Sequence, residues 1–364
     1  MIENKKLNYE LISLARDYKG ITQKELANLI WVEQGTLSKI ENDILPVYQN
    51  DPLAQNISDK LGFPIKFFLQ NLRIYAFDVG SHARKRQAVN LNKGLIAKLN
   101  LIRSNIELLL KSVEIPQSNI PNIPCDNNNS PRDIANKTRK FLKIGDGAVN
   151  NISRILEDNG CIIYQDDLDI EGFSFCSGNH HIICINKNAP IDRIRFTQAH
   201  ELGHLVMHRN QLSSKELEQE ANNFASEFLM PSHLIKEDFA NNDIYKIHDF
   251  ANLKLKWKTS IKSIIRKAYD LGFIGDREYK NLQVQISRYG YRKNEPYELD
   301  RSIETPSLLK EIFNEHFESL RYNLDQISDT FSLYKEEVIA IYKDSLSDLY
   351  LRDKEFKKPY LRLV

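Results

Sequence analysis

Two histidines four residues apart, His200 and His204, fall inside a run whose neighbours are mostly apolar: Ile194, Phe196, Ala199, Leu202, Leu205 and Val206. That periodicity predicts a helix buried over much of its circumference. Residues four apart on a helix lie on one face, one turn above each other. Buried histidines need partners. The stretch reads His200-Glu201-Leu202-Gly203-His204, an H-E-x-x-H pentapeptide. Two imidazoles so placed can reach one zinc ion, and Glu201 can take a proton from a water on that ion. Zinc brings the pKa of such a water to about 7, so the chemistry expected is hydrolysis of a peptide bond. The competing reading, a helix with two surface histidines, sits poorly with the apolar context. Gly203 costs about 1 kcal/mol relative to Ala inside a helix, which predicts a close approach by another element.

A catalytic zinc usually has three protein ligands and one open position. The next acidic helix, residues 216–230, ends at Pro231, because proline cannot continue a helix. Its apolar face is Ala221, Phe224, Ala225 and Phe228. Glu218 and Glu220 flank that face on opposite sides, and the helical wheel does not separate them as the third ligand. Glu220 lies one turn before Phe224, so its stem would run along packed surface. Glu216 and Glu227 read as solvated charges. Asn222 is placed to orient a ligand. His208 reads as a helix-end histidine with a place near the site as the alternative, and Arg193, Arg195, His180 and His181 as structural or exposed.

Over 364 residues the hydrophobic share is 41% and the charged share 27%, the balance of a soluble globular chain of two or three domains. A net charge of +1 gives no global field to attract nucleic acid or a membrane. No run approaches the roughly 18 apolar residues of a membrane span, and the first residues lack the apolar core of a signal peptide. Cys125, Cys161, Cys176 and Cys184 show no C-x-x-C spacing. The last three fall in or beside apolar stretches and read as buried free thiols, which fits a reducing cytoplasm.

Residues 8–70 read as short helices joined by tight turns. Thr22 with Glu25 three residues on is a capping box that starts one of them. Leu26, Ala27 and Ile30 give it a buried face, and Leu37 and Ile40 do the same for the next. Two short helices joined by such a turn make a helix-turn-helix, whose second helix enters the major groove of double-stranded DNA. Gln34, Thr36, Ser38 and Lys39 would lie exposed on it, with Gln23 on the helix before. The pattern Thr22-Gln23-x-x-Leu26-Ala27 followed by Ser38-Lys39-Ile40-Glu41-Asn42 resembles the Cro/CI-type (XRE) repressor domains over about 60 residues. Against DNA binding, residues 1–75 carry nine basic and nine acidic side chains, whereas DNA binders show a basic footprint.

Ala83-Arg84-Lys85-Arg86-Gln87 is a short basic run, either a phosphate contact or a solvated linker. Residues 91–113 predict a long connecting helix, and 115–131, rich in Pro and Asn, a linker. After two helices, Cys161–Tyr164, Gly172–Phe175 and His181–Ile185 read as strands, with Ser177-Gly178-Asn179 as a hairpin turn. A three-stranded antiparallel sheet packed on the metal helices is expected, with an edge able to hold an extended substrate by main-chain pairing. More helix follows at 244–256 and 260–271, then a polar irregular stretch to Pro296, then helices over 305–350. The class expected is α+β, mostly helical: a helix-turn-helix bundle at 1–75, a connecting helix and linker at 76–131, a zincin-like peptidase domain with a small antiparallel sheet at 132–296, and a helical extension at 297–364.

The middle region resembles the ImmA/IrrE family of zinc metallopeptidases. The resemblance rests on Arg195-Phe196-Thr197-Gln198-Ala199-His200-Glu201-Leu202-Gly203-His204-Leu205 with His208, then Glu220-Ala221-Asn222-x-Phe224-Ala225-x-x-x-Leu229-Met230-Pro231. It extends more weakly over 134–296, through Leu255-Lys256-Trp257-Lys258-x-Ser260 and Arg292-x-x-Glu295-Pro296. It implies His200, His204 and Glu220 as metal ligands, Glu201 as general base, and an XRE-type repressor protein as substrate. An XRE domain ahead of the peptidase is a familiar arrangement in that family. Zinc is the metal implied, although nitrogen and oxygen donors also accept manganese or iron. The alternative is a DNA-binding regulator or antitoxin-like protein whose metal site is structural or sensory. Intact Glu201 favours the enzyme, since a structural zinc has no use for a base. Self-cleavage in the 115–131 linker is a third reading.

Overall fold

The computed structural model describes residues 4–75, 82–84 (backbone), 92–209, 214–240, 246–291, 295–299 and 301–346. Lys85, Arg86 and Gln87 of the basic run, Arg292, and the chain beyond 346 lie outside the described residues. The class is α+β and mostly helical, as the periodicities predict. The chain divides into two compact units that are not consecutive stretches: residues 1–76, 89–115 and 309–364 form one, residues 77–88 and 116–308 the other. No described helix is long and apolar enough to cross a membrane.

In the first unit, helices Tyr9–Tyr18, Gln23–Leu29, Gln34–Glu41 and Pro52–Leu61 pack around Leu11, Ala15, Leu26, Leu37 and Ile57, all fully buried. Thr22 accepts from the Glu25 amide while Glu25 accepts from the Thr22 amide, so the capping box is formed. The connecting helix, Lys93–Leu109, packs against Tyr9–Tyr18. It buries Leu99, Ile102 and Ile106, which is why it belongs to this unit and not to a separate connector. The C-terminal helices return to the same unit: Glu337, on Lys335–Tyr342, accepts from Tyr18 Oη and Lys19 Nζ, both at 2.5 Å.

In the second unit a four-stranded sheet of order β1-β3-β4-β2 comprises β1 (His82–Arg84), β2 (Cys161–Asp166), β3 (Gly172–Ser177) and β4 (His180–Asn186). The expected three-stranded antiparallel sheet is corrected on two counts. β2 pairs with β4 in parallel, Cys161 opposite His181, while β3 and β4 are antiparallel, Phe173 opposite Cys184. The reason is the short crossing from Asp167 to Glu171: it carries the chain past the slot beside β2, and the tight turn at Gly178 (φ +57°) folds β4 back into it. β1 then covers the outer edge of β3.

The motif helix, Ile191–Met207, lies on this sheet, and the acidic helix, Lys215–Leu229, packs along it. The expected close approach at Gly203 is made by Phe224: a Cβ on Gly203 would stand 3.0 Å from Phe224 Cδ1. Ion pairs hold the helix ends. Arg195, 1% exposed, pairs with Glu304 and donates to Lys258 O at 2.9 Å. Glu304 also accepts from the Ile152 amide at 3.0 Å. Lys254 bonds Glu295 at 3.0 Å, and Glu295 accepts from the Ile261 amide at 2.8 Å, fixing the start of helix Ile261–Asp270. Glu227 is not the solvated charge expected: it is 2% exposed and accepts from Lys267 Nζ at 2.6 Å. Burying a carboxylate is tolerated only with such a partner.

Residues 116–131 of the expected linker belong to the second unit, where they form a strap. Ile120 is buried, the Ile123 amide donates to Val206 O at 2.9 Å and the Asn119 amide to Asn159 O at 2.9 Å. Cys161 and Cys184 are buried and in no disulfide, and Cys176 is exposed, contrary to expectation, because it faces outward at a register position of β3 between Phe175 and Ser177.

His181 on β4 is buried and bonded to Ser118 on the strap. Burial, helped by the positive charge of Arg209, pushes its pKa down to about 4. The unfolded chain takes up this proton near pH 6.5 and the folded chain only near 4, so stability is whole above about 6.5 and declines as pH falls through that window, by at most about 1.4 kcal/mol per unit. The urea midpoint of metal-free protein should therefore drop between pH 7.5 and pH 5, and His181→Gln should shrink the drop. Equal drops in both proteins would remove His181 as a cause.

Candidate metal centre

The motif helix puts His200, His204 and His208 in one row at successive turns, and all three rings are buried. His200 Nε2 and His204 Nε2 stand 3.0 Å apart. The carboxylate of Glu218 meets them both: Oε2 lies 3.3 Å from His200 Nε2 and Oε1 3.3 Å from His204 Nε2. One ligand atom from each of the three side chains falls within 4.8 Å of the others. Glu218 is 29% exposed while the two rings are closed off, so the cluster opens on the carboxylate side.

This geometry corrects the expectation that Glu220 stands with the histidine pair. Glu220 instead accepts from His208 Nε2 at 2.8 Å, one turn further along the motif helix. Two residues apart on a helix means about 200° of rotation, so the two carboxylates cannot face the same point. Glu218 precedes Ala221 by three and Ala225 by seven, and its carboxylate faces the His200 and His204 pair. Glu220 precedes Phe224 by four and points to another neighbour.

His208 caps the motif helix, as expected of a helix-end histidine, and it also touches the site: its Nδ1 is 2.9 Å from His204 Nδ1. If His204 Nε2 is a ligand, its Nδ1 carries the proton and donates to His208 Nδ1, and His208 Nε2–H donates to Glu220. This chain of bonds orients the His204 ring. Burial pushes His204 down to about 3 against the pull of Glu218, and pushes His208 down against the pull of Glu220, so both rings are neutral at pH 7. Burial works against the charge of Glu218, but its bonds to His200 and His204 outweigh this and hold the carboxyl well below its ordinary range. Two imidazoles and an ionised carboxylate converging at one point are a donor set that fits a divalent cation, zinc above all.

Glu201 is fully buried on the same helix, and its Oε2 accepts from Ser174 Oγ at 2.7 Å. Ser174 lies on β3, and so does Gly172, where an added Cβ would overlap the Thr197 methyl and stand 3.1 Å from Glu201 Oε1. β3 is thus pressed against the carboxylate. Sequence reasoning did not find Ser174 or Gly172. The glycine could have been noticed, since glycine inside a strand marks a close backbone approach; the serine carries no such mark. No bond from Asn222 to the cluster is found among the described residues; His208 stands against His204, Glu220 against His208, and Ser174 against Glu201.

Far from this cluster in sequence, the second of the paired helices, Gln34–Glu41, has Gln34 and Lys39 exposed and Thr36 and Ser38 partly so. Gln34 donates to Gln23 at 3.4 Å and Gln23 to Glu41 at 3.0 Å. Glu41 in turn holds Arg16 at 2.6 Å.

Residues 163–269 match the family model of the IrrE N-terminal-like domain, Peptidase_M78. No curated protein matches the chain. The matched segment carries β3, β4, the motif helix and the acidic helix, and it supports a peptidase of the ImmA/IrrE kind in this part of the chain.

Proposed function

We propose, from a segment that matches a peptidase family, that this chain is a zinc-dependent endopeptidase that regulates transcription by cutting a repressor-type protein. The observation that carries the reading is the convergence of His200, His204 and Glu218 beside a buried Glu201. Those three residues would hold the metal, with Glu218 and not Glu220 as the carboxylate ligand. Bound zinc supplies a Lewis acid and a water that ionises near pH 7. Glu201, fixed by Ser174, takes the proton of the attacking water and passes it to the leaving amine nitrogen as the peptide C–N bond breaks. His208 and Glu220 keep the His204 ring in the tautomer that leaves Nε2 free to bind. A structural or sensory site would have no need of a buried carboxylate at position 201.

Incubating the metal-loaded chain with an XRE-type repressor should give two fragments, and chelation should abolish them. A repressor left whole by active, metal-loaded protein would reject this substrate class. The helix pair at 23–29 and 34–41 favours a second role for the first unit, binding of double-stranded DNA through Gln34, Thr36, Ser38 and Lys39. The nine-to-nine charge balance of this region predicts weak binding with a shallow salt dependence. A titration with operator-like and random duplexes decides it: no saturable binding at low salt leaves this unit as a protein-recognition element.

A further inference from the structure

β3 has two edges. β4 fills one, and on the other β1 pairs antiparallel, His82 opposite Ser174, Ala83 opposite Phe173 and Arg84 opposite Gly172. Two of these β3 residues, Ser174 and Gly172, lie against the proposed base. Ser174 donates to Glu201, and the backbone at Gly172 comes so near that a Cβ there would stand 3.1 Å from Glu201 Oε1. β1 also lies alongside the motif helix. A polypeptide laid on this edge therefore runs past Glu201 in an extended conformation, with its amides and carbonyls held by the main chain of β3. Strand addition of this kind binds a peptide through its backbone and leaves side-chain identity secondary.

We propose that the outer edge of β3 at Gly172–Ser174 is the docking strand for an extended stretch of the substrate protein, and that residues 82–84 of the same chain occupy it in cis. The inference rests on the peptidase reading and adds its regulation. The substrate class is an extended polypeptide segment that pairs antiparallel with β3, and a folded helix or compact surface is excluded. Residues 82–84 compete with it, so the enzyme is self-restrained until the cis strand leaves. A cis strand in place nine times in ten lowers the apparent affinity of a substrate strand about ten-fold.

The test uses the full-length, zinc-loaded chain in a Glu201→Gln background, so that nothing is hydrolysed and a failure of peptidase activity is told apart from a failure of this pairing. Donors alternate along an antiparallel strand, so one of Ala83→Pro and Arg84→Pro removes a pairing N–H, and both are made. The probe is a labelled synthetic peptide with the chain's own sequence from 76 to 90. One of the two variants should bind it about ten-fold more tightly than the parent. In that variant the amides of Gly172–Phe175 should exchange faster with deuterium, and added peptide should restore their protection. Unchanged protection at Ala199–Val206 shows that the motif helix is still folded. Equal peptide affinity and equal β3 exchange in parent and both variants would overturn the proposal, as would faster exchange that the peptide does not reverse.

Discussion

Glu201→Gln should keep its metal and lose about a thousandfold in peptide hydrolysis, within the range by which a positioned general base accelerates such a step, and equivalent to about 4 kcal/mol of barrier. The amide is the same size as the carboxylate and can still accept from Ser174 Oγ, now 2.7 Å from Glu201 Oε2. What it cannot do is take a proton. Metal content by elemental analysis should therefore match the wild type while turnover of a peptide or repressor collapses. Because Glu201 is fully buried against β3, a fold-related loss is separable: it would lower the thermal midpoint, whereas the isosteric change should alter stability by no more than about 1 kcal/mol. Undiminished hydrolysis in the metal-loaded variant would remove Glu201 as the base.

Glu218→Ala should lose the metal, and Glu220→Ala should keep it with affinity weakened about 10–100-fold, the usual effect of removing a group that orients a ligand from behind. Glu218 faces both Nε2 atoms at 3.3 Å, whereas Glu220 reaches the row only through His208. Equilibrium dialysis against a chelator series, followed by metal analysis, separates the two variants directly. The reverse ranking would return the third position to Glu220. Circular dichroism of the metal-free variants controls for folding, since both side chains are about 30% exposed and neither sits in the apolar core.

The site was legible in parts. The spacing of His200 and His204 within an apolar run is enough to place two imidazoles on one buried face, because helical periodicity is a local property. Gly203 announced its close neighbour for the same reason, as its helix cost asks for a compensating contact, which Phe224 supplies. The acidic helix was equally plain from Ala221, Phe224, Ala225 and Phe228. Which of its carboxylates turns toward the histidines was not, because both flank the apolar face and only the rotation of one helix on the other chooses. The buried pairing of Glu227 with Lys267, 40 residues on, and the parallel pairing of β2 with β4, were hidden for a related reason: each is a partnership across sequence that no local pattern encodes.

From its sequence alone the chain determined its helices, their caps, its mostly helical class and the pair of histidines that make hydrolytic metal chemistry the expectation. Only the tertiary structure decided that Glu218 completes the cluster, that His208 and Glu220 stand behind His204, and that β3 presses Ser174 onto Glu201 while β1 covers its edge. The division follows from range. Backbone propensity and periodicity act over a few residues and can be read in order, whereas a site is made by side chains brought together through packing, where about 200° of helix rotation separates Glu218 from Glu220.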